Sequence, residues 1–407
     1  MDIRQAARCL VVPLAVAATA GAFAVDWPQF RGPNRDGVST ETGLLKSWPE
    51  TGPKVLWRAA LGEGYSGLAV VRGRLYTAVG QGSDELVLCL DAAGGKELWR
   101  TRIDAKWLDD QGNGPRSTPT VDGAMVYLLG GRAKLVALGA QDGKQVWAHD
   151  LQQEYGATIP QWGVSSSPLV EGELLLVEVG GPHALFVAFD KKTGKEAWRS
   201  QGGVAGYSAP LAINVGGVRQ VLFFSGKKLY AVSPKDGSVY WEVPWETSYD
   251  VNAAMPVFIA PDKVFISSGY DKGAALLRIK VAGGKPAVES VWQNRVMKNH
   301  FSSSVLVGGY LYGFDDKTLK CIDPQSGEGK WMTRGFGHGS LLYADGHLIV
   351  LGDHGQLALV EATPQEYREK AKTTPFQTKT WTMPTLVDGK LYLRDQSELI
   401  VLQVAAG

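Results

Sequence analysis

One eleven-residue pattern recurs along the chain: a small residue, an acidic or polar residue two positions later, a turn with Gly, a polar residue and finally Trp. It appears as Cys89 to Trp99, Ala137 to Trp147, Ala188 to Trp198, Ala231 to Trp241 and Cys321 to Trp331, and Trp57 and Trp292 end looser copies. The tryptophans at 57, 99, 147, 198, 241, 292 and 331 are spaced by 42, 48, 51, 43, 51 and 39 residues. Periods of roughly 40 to 50 residues that hold several short strands are the signature of a β-propeller, one blade per period. The strand-like pattern within each period excludes a solenoid of helix pairs.

Within a period the order is constant. Ser117-Thr118-Pro119-Thr120-Val121 leads into Asp122-Gly123 and then Ala124-Met125-Val126-Tyr127-Leu128-Leu129. A pair of this kind between β-rich runs signals a hairpin, and equivalent turns fall at Arg72-Gly73, Glu171-Gly172, Asp345-Gly346 and Asp388-Gly389. Innermost strands begin near Ser66, Ser117, Ser166, Ser208, Ala253, Ser302, Gly339 and Thr382, which makes eight blades. The last has three strands before Gly407, so Lys54 to Ala59 is expected to supply its fourth, closing the ring and removing an exposed edge. The fold class is therefore all-β: eight four-stranded antiparallel blades over residues 53–407. Blade seven departs from the pattern. Thr363-Pro364-Gln365-Glu366 carries a cap, a first-turn Pro and a box partner, which predicts a short helix over 364–371 and an outer strand near Pro375-Phe376-Gln377.

Arg4 and Arg8, the apolar run Cys9 to Val16 and then Ala22-Phe23-Ala24 are ordered as in a Sec signal peptide. Cleavage is expected after Ala24, with export to the periplasm or beyond, and the short apolar run argues against a membrane-embedded chain. Residues 25–52 would then form an extended arm ahead of the propeller. The 42 Lys and Arg lose Arg4 and Arg8, the 41 Asp and Glu lose Asp2, and 40 of each remain. Binding of nucleic acid or of an anionic membrane by net charge needs a basic excess that this chain lacks. A small molecule or a periplasmic protein is the expected partner, and the chain is read as a monomer.

In blades whose strands alternate direction, the first-to-second and third-to-fourth turns share one face. Blade crossings and second-to-third loops share the other. The first set is tight, whereas the crossings Thr101 to Arg116, His149 to Val164, Glu242 to Val251 and Gln293 to His300 are long. Loops on a rigid scaffold usually carry function, so the crossing face is the working face. The crossings converge on the channel mouth, where Tyr65, Arg116, Trp162, Tyr207, Asn252, Lys298, His300, His338 and Trp381 are the candidate ligand-binding residues. No catalytic residue is assigned. Gly62-Glu63-Gly64-Tyr65-Ser66-Gly67 matches the dinucleotide fingerprint, but a hairpin follows where a helix should begin. Asp315-Asp316 and Asp353-His354 read as solvated hairpin residues.

The repeat resembles that of the PQQ-like (pyrrolo-quinoline quinone repeat) propeller family over roughly residues 53–407. Asp26 to Gly37, Met297 to His300 and Tyr343 to His347 are similar to segments of exported members. The resemblance implies that each Trp docks on the Gly turn of a neighbouring blade, giving Trp57, Trp99, Trp147, Trp198, Trp241, Trp292 and Trp331 a structural role. Cys89 and Cys321, at the small-residue position that makes room for the indole, would be separate buried thiols. Two branches of the family imply different functions. One resembles the partner-binding subunit of the outer-membrane β-barrel assembly machinery, a lipoprotein without catalytic residues, although this signal segment lacks the lipid-anchor site. The other comprises quinoprotein dehydrogenases acting on alcohols or sugars, with PQQ and Ca²⁺ at the channel mouth. There Arg116 and Lys298 would pair with PQQ carboxylates, Trp162 or Trp381 would stack on the quinone, and Asp250 and Asn252 are the metal candidates. The adjacent cysteines common in that branch are absent. The favoured reading is a binding or scaffold propeller, with a PQQ dehydrogenase and a PQQ-independent carbohydrate-acting protein as alternatives.

Overall fold

The computed structural model describes residues 26–406. The expected signal segment and its cleavage point lie outside the described residues. Eight separate four-stranded antiparallel sheets succeed one another, each in the order of the chain except the last. Blade one consists of Ala69–Val71, Arg74–Gln81, Asp84–Asp91 and Glu97–Ala105. Its two middle strands are buried for six consecutive residues, because both sheet faces meet a neighbouring blade. Its outer strand mixes buried and exposed positions. The core is accordingly a circle of inter-blade layers rather than one central mass.

The repeat explains these layers. Cys89, Ala137, Ala188, Ala231 and Cys321 lie directly opposite Trp99, Trp147, Trp198, Trp241 and Trp331 in the ladder. A bulge follows each pairing and turns the indole toward the next blade. The Trp99 N–H donates to Ala140 O, Trp147 to Lys191 O, Trp198 to Pro234 O and Trp292 to Pro324 O. Beneath the first three lie Gly143, Gly194 and Gly237, all at positive φ. A Cβ at Gly237 would stand 2.4 Å from the Trp198 ring, so only glycine fits. Trp241 is the exception. Its N–H donates to Gln220 Oε1 at 2.8 Å, because the next blade replaces the docking turn with a long hairpin of Gly273–Ala282 and Lys285–Asn294. Cys89 and Cys321 are buried free thiols.

Two expectations are corrected in blade seven. Residues 364–366 form a bend and 367–368 irregular chain rather than a helix, and the outer strand is Glu369–Thr373, ahead of Pro375. Glu361 N–H bonds Arg368 O and Ala371 pairs with Leu359, so the hairpin ladder outcompetes a helix too short to repay its nucleation. Phe376 is buried against Gly355 instead of lying in a strand.

The chain's ends close the ring. Lys54–Ala60 pairs antiparallel with Glu398–Gln403, placing Trp57 opposite Val401, and the Trp57 N–H reaches Ala92 O of blade one. Arg394 clasps the same seam. Fully buried, its guanidinium donates to Ser66 O, Ala78 O and Gly64 O of blade one. Residues 62–67 are thus a carbonyl cradle leading into a strand. Around the channel, inner-strand hydroxyls join successive blades, as in Ser66 Oγ to Ser117 O and Thr118 N–H to Ser167 Oγ.

Residues 26–52 cross the tight-turn face. Trp27 bridges Val70, the Ser39 N–H meets Tyr343 O, and Glu41 accepts from the Asp388 and Gly389 amides. Between these anchors the arm turns into the channel. Arg31 there donates to Ser303 O and Ser304 O, while Arg35 donates to Ser167 O, Pro168 O and Pro210 O. The arm plugs the tight-turn end of the channel.

Candidate functional site

With one end plugged, the channel is a blind cavity of about 400 Å³ open on the crossing face. Phe30 of the arm and Met383 lie at its inner end. Of the nine residues expected at the mouth, Tyr65, Arg116, Trp162, Tyr207, His300 and Trp381 line the cavity. His338 stands just behind, stacked on His300 with ring centroids 4.8 Å apart. Asn252 and Lys298 are not part of the lining. The buried Asn252 amide donates to Ser225 O, Gly226 O and Trp245 O, and its oxygen accepts from Ser268. Lys298 is turned toward Asp271 and Asp315, at 3.7 and 3.9 Å.

The rings form a collar. Tyr65 to Trp381, Trp381 to Phe301 and Tyr270 to His300 are separated by 5.2, 4.9 and 5.0 Å. Tyr270 to Tyr249, Tyr249 to Trp162 and Trp162 to Tyr207 continue it at 6.0, 5.8 and 6.2 Å. Phe301 and His338, 5.9 Å apart, join the two arcs. Tyr249 and Tyr270 both occupy the left-handed region, at φ 62° and 51°. Bulky residues rarely adopt it, and such strain persists where surrounding structure enforces it, commonly at working sites.

The wall between Tyr207 and Tyr65 is the first crossing, folded around Asp109. That carboxylate accepts from the Trp107 indole, the Gln111 and Gly112 amides and Arg116. Arg116 also donates to Gly112 O and Gly114 O, so its charge is neutralised within its own loop, and burial lowers its pKa against the pull of Asp109. Lys379 and Tyr65 hold the loop tip through Gln111 O. Burial pushes the Tyr65 and Tyr207 hydroxyls up to about 12. Burial, and then His338, lowers His300 below the ordinary imidazole value. At neutral pH Tyr65, Tyr207 and His300 are therefore uncharged.

The donor set does not fit PQQ with Ca²⁺. A hard cation needs several oxygen ligands. The Asn252 oxygen is taken up by Ser268 outside the lining, Asp250 is not among the cavity residues, and no lining side chain is a carboxylate. Among the described residues no group of three or more His, Cys, Asp and Glu is placed to hold a metal. Neither Arg116 nor Lys298 offers a free cation to a quinone carboxylate.

Residue types and loop lengths pointed to the mouth but not to Phe30, Tyr270 or Tyr249. Phe30 lies before the repeats, where no periodicity reports its destination, and Tyr270 sits in a second-to-third turn rather than a crossing.

The family described as outer membrane protein assembly factor BamB matches residues 43–158 and 112–333. The protein of that name from Burkholderia pseudomallei is 26% identical over 348 residues, which cover 79% of this chain and 80% of the relative. Its namesake from Nitrosomonas eutropha is 32% identical over 162 residues, 40% of this chain and 35% of the relative. The crystal structure of BamB from Moraxella catarrhalis superposes with a TM-score of 0.63 at 14% identity, over 87% of this chain and 98% of that one. A quinohemoprotein alcohol dehydrogenase from Pseudomonas putida gives 0.69 at 12%, over 94% and 81%. At such identities the superpositions establish the shared propeller fold and nothing about chemistry.

Proposed function

Because the chain belongs to the family described as outer membrane protein assembly factor BamB, we propose that it is a periplasmic or secreted binding propeller that takes a small ligand into the cavity on its crossing face. One observation carries this reading: the channel is blind, and its open end is ringed by aromatic side chains, two of them on left-handed backbone. A pocket of this size with convergent aromatic walls is the usual form of a small-molecule site. The dehydrogenase alternative is disfavoured by the donor set. Among the described residues no helix is long and apolar enough to cross a membrane.

A second reading is favoured by the rim. Leu108, Val204 and Tyr249 are 63, 41 and 65% exposed on three crossings around the mouth. Apolar residues presented this way suit a protein partner that covers the cavity.

Intrinsic tryptophan fluorescence separates the readings. Titration of the mature chain with small-molecule probes should give a saturable change that Trp381→Leu abolishes while the melting temperature holds. Equal responses from wild type and Trp381→Leu would place binding elsewhere and overturn the cavity reading. Docking by a partner would instead be weakened by Leu108→Asp and Tyr249→Asp together.

A further inference from the structure

We propose that the cavity takes one neutral sugar ring and that Phe30, carried by the N-terminal arm, sets its depth. This rests on the reading of the crossing face as a small-molecule site and names the ligand class. Charge is the first argument. Arg116 is engaged by Asp109 and two carbonyls, Lys379 by Gln111 O, and the cavity lining contains no acid. Arg116, the one Lys or Arg of the lining, is already paired with Asp109, so an anion meets no unpaired charge in the lining. A cation finds no carboxylate in the lining, and the Tyr65 and Trp381 ring faces it could use are already taken by Arg116 and Lys379 at 5.6 and 4.1 Å.

Wall chemistry is the second. Ring faces dominate the lining, with Val251 and Met383 its largest aliphatic side chains, which suits a ligand with flat C–H faces better than an acyl chain. Thr118, Ser165 and Gln111 bring hydroxyl and amide groups among those rings, as the edges of a polyol require. Size is the third. About 400 Å³ lies at the low end of the usual range for ligand sites, roughly 300–1,000 Å³.

Phe30 is the partition. With Phe301, Trp381 and Met383 it borders both the main cavity and a second one of about 40 Å³ behind it. Shortening Phe30 would join the two spaces and admit a longer ligand.

The test is calorimetric titration of the mature chain with the methyl glycosides of glucose, galactose, mannose and N-acetylglucosamine. Maltose and cellobiose report on length, and benzoate, choline and 2-naphthol on charge and aromaticity. At least one methyl glycoside should bind saturably and neither ion should. Trp381→Leu should weaken that binding by about tenfold, the equivalent of one lost ring contact. Phe30→Ala should raise the disaccharide-to-monosaccharide affinity ratio by about tenfold. Phe30→Leu, which keeps an apolar plug, should shift the ratio in the same direction and serves if Phe30→Ala fails to fold. Binding of 2-naphthol without any glycoside overturns the sugar assignment and leaves the cavity as a ligand site. If no probe binds, both readings fall, and an unchanged ratio in the folded Phe30 variants overturns the role of Phe30.

Discussion

Trp198 shows what one residue of the repeat does. Its ring lies on Gly237 and its N–H reaches Pro234 O at 3.0 Å, so one side chain joins two blades by contact and by hydrogen bond. Trp198→Ala should lower unfolding free energy by roughly 3–5 kcal/mol, the usual consequence of opening such a cavity, as read by the urea midpoint at constant slope. Glu178 is the opposite case, a buried carboxyl beneath the loop that carries Tyr207. It accepts the Gly206 N–H, and burial pushes it up to about 7 from 4.5. A folded-state pKa above the unfolded one gives stability that is complete below about 4.5 and lost as pH rises through 7. Between pH 5 and 8 this group should therefore remove on the order of 3 kcal/mol. Glu178→Gln keeps the acceptor without the charge and should flatten that loss in urea melts at pH 5 and 8. A residual slope should come from Glu85, likewise raised by burial to about 7. Neither glutamate stood out in the sequence, because a single acid within a strand reads as a surface residue until its neighbours are known.

At the scale of elements, legibility followed the repeat. Blade boundaries, the hairpin turns and the strand that completes blade eight could be read from spacing, since each hairpin announces itself locally. Three elements could not. Blade seven carried helix-cap residues, yet its ladder decided the matter over residues 364–373. The hairpin Gly273–Ala282 with Lys285–Asn294 displaced the turn on which Trp241 would have docked. The arm, extended in expectation, folds back into the channel because Arg31 and Arg35 find carbonyl clusters there. Burial without a close carboxylate lowers Arg35 to about 9, still cationic at neutral pH. Its role is to donate to Ser167 O, Pro168 O and Pro210 O, the second of which it shares with the Thr120 hydroxyl. Arg35→Met should take this donor from Ser167 O and Pro210 O, leave Pro168 O with Thr120 alone, and loosen the arm by about 3 kcal/mol. Limited trypsinolysis should then cut after the exposed Lys46 many times faster than in wild type, while the ring stays folded. Equal cleavage rates would mean that the outer anchors alone hold the arm.

For the whole molecule, closure changes how stability is shared. In an open array each module leans on its neighbours and the terminal ones fray first. Here the first and last strands of the propeller lie in one sheet, and the seam between blades eight and one is fastened by Trp57 on Gly95 and by the carbonyl-bound Arg394. The strand Lys54–Ala60 is less buried than the middle strands, which in isolation would make it a fraying edge. It cannot fray independently, because its loss would expose Glu398–Gln403, four of whose six residues are buried, as an unpaired edge. Trp57→Ala should therefore lower the urea midpoint by at least about half as much as Trp198→Ala, in a single transition, despite lying close to the start of the propeller. Should the first strand fray on its own, Trp57→Ala would leave the midpoint unchanged. Amide exchange in Lys54–Ala60 would then run ahead of that in Glu398–Gln403, whereas a closed ring requires the two strands to exchange together.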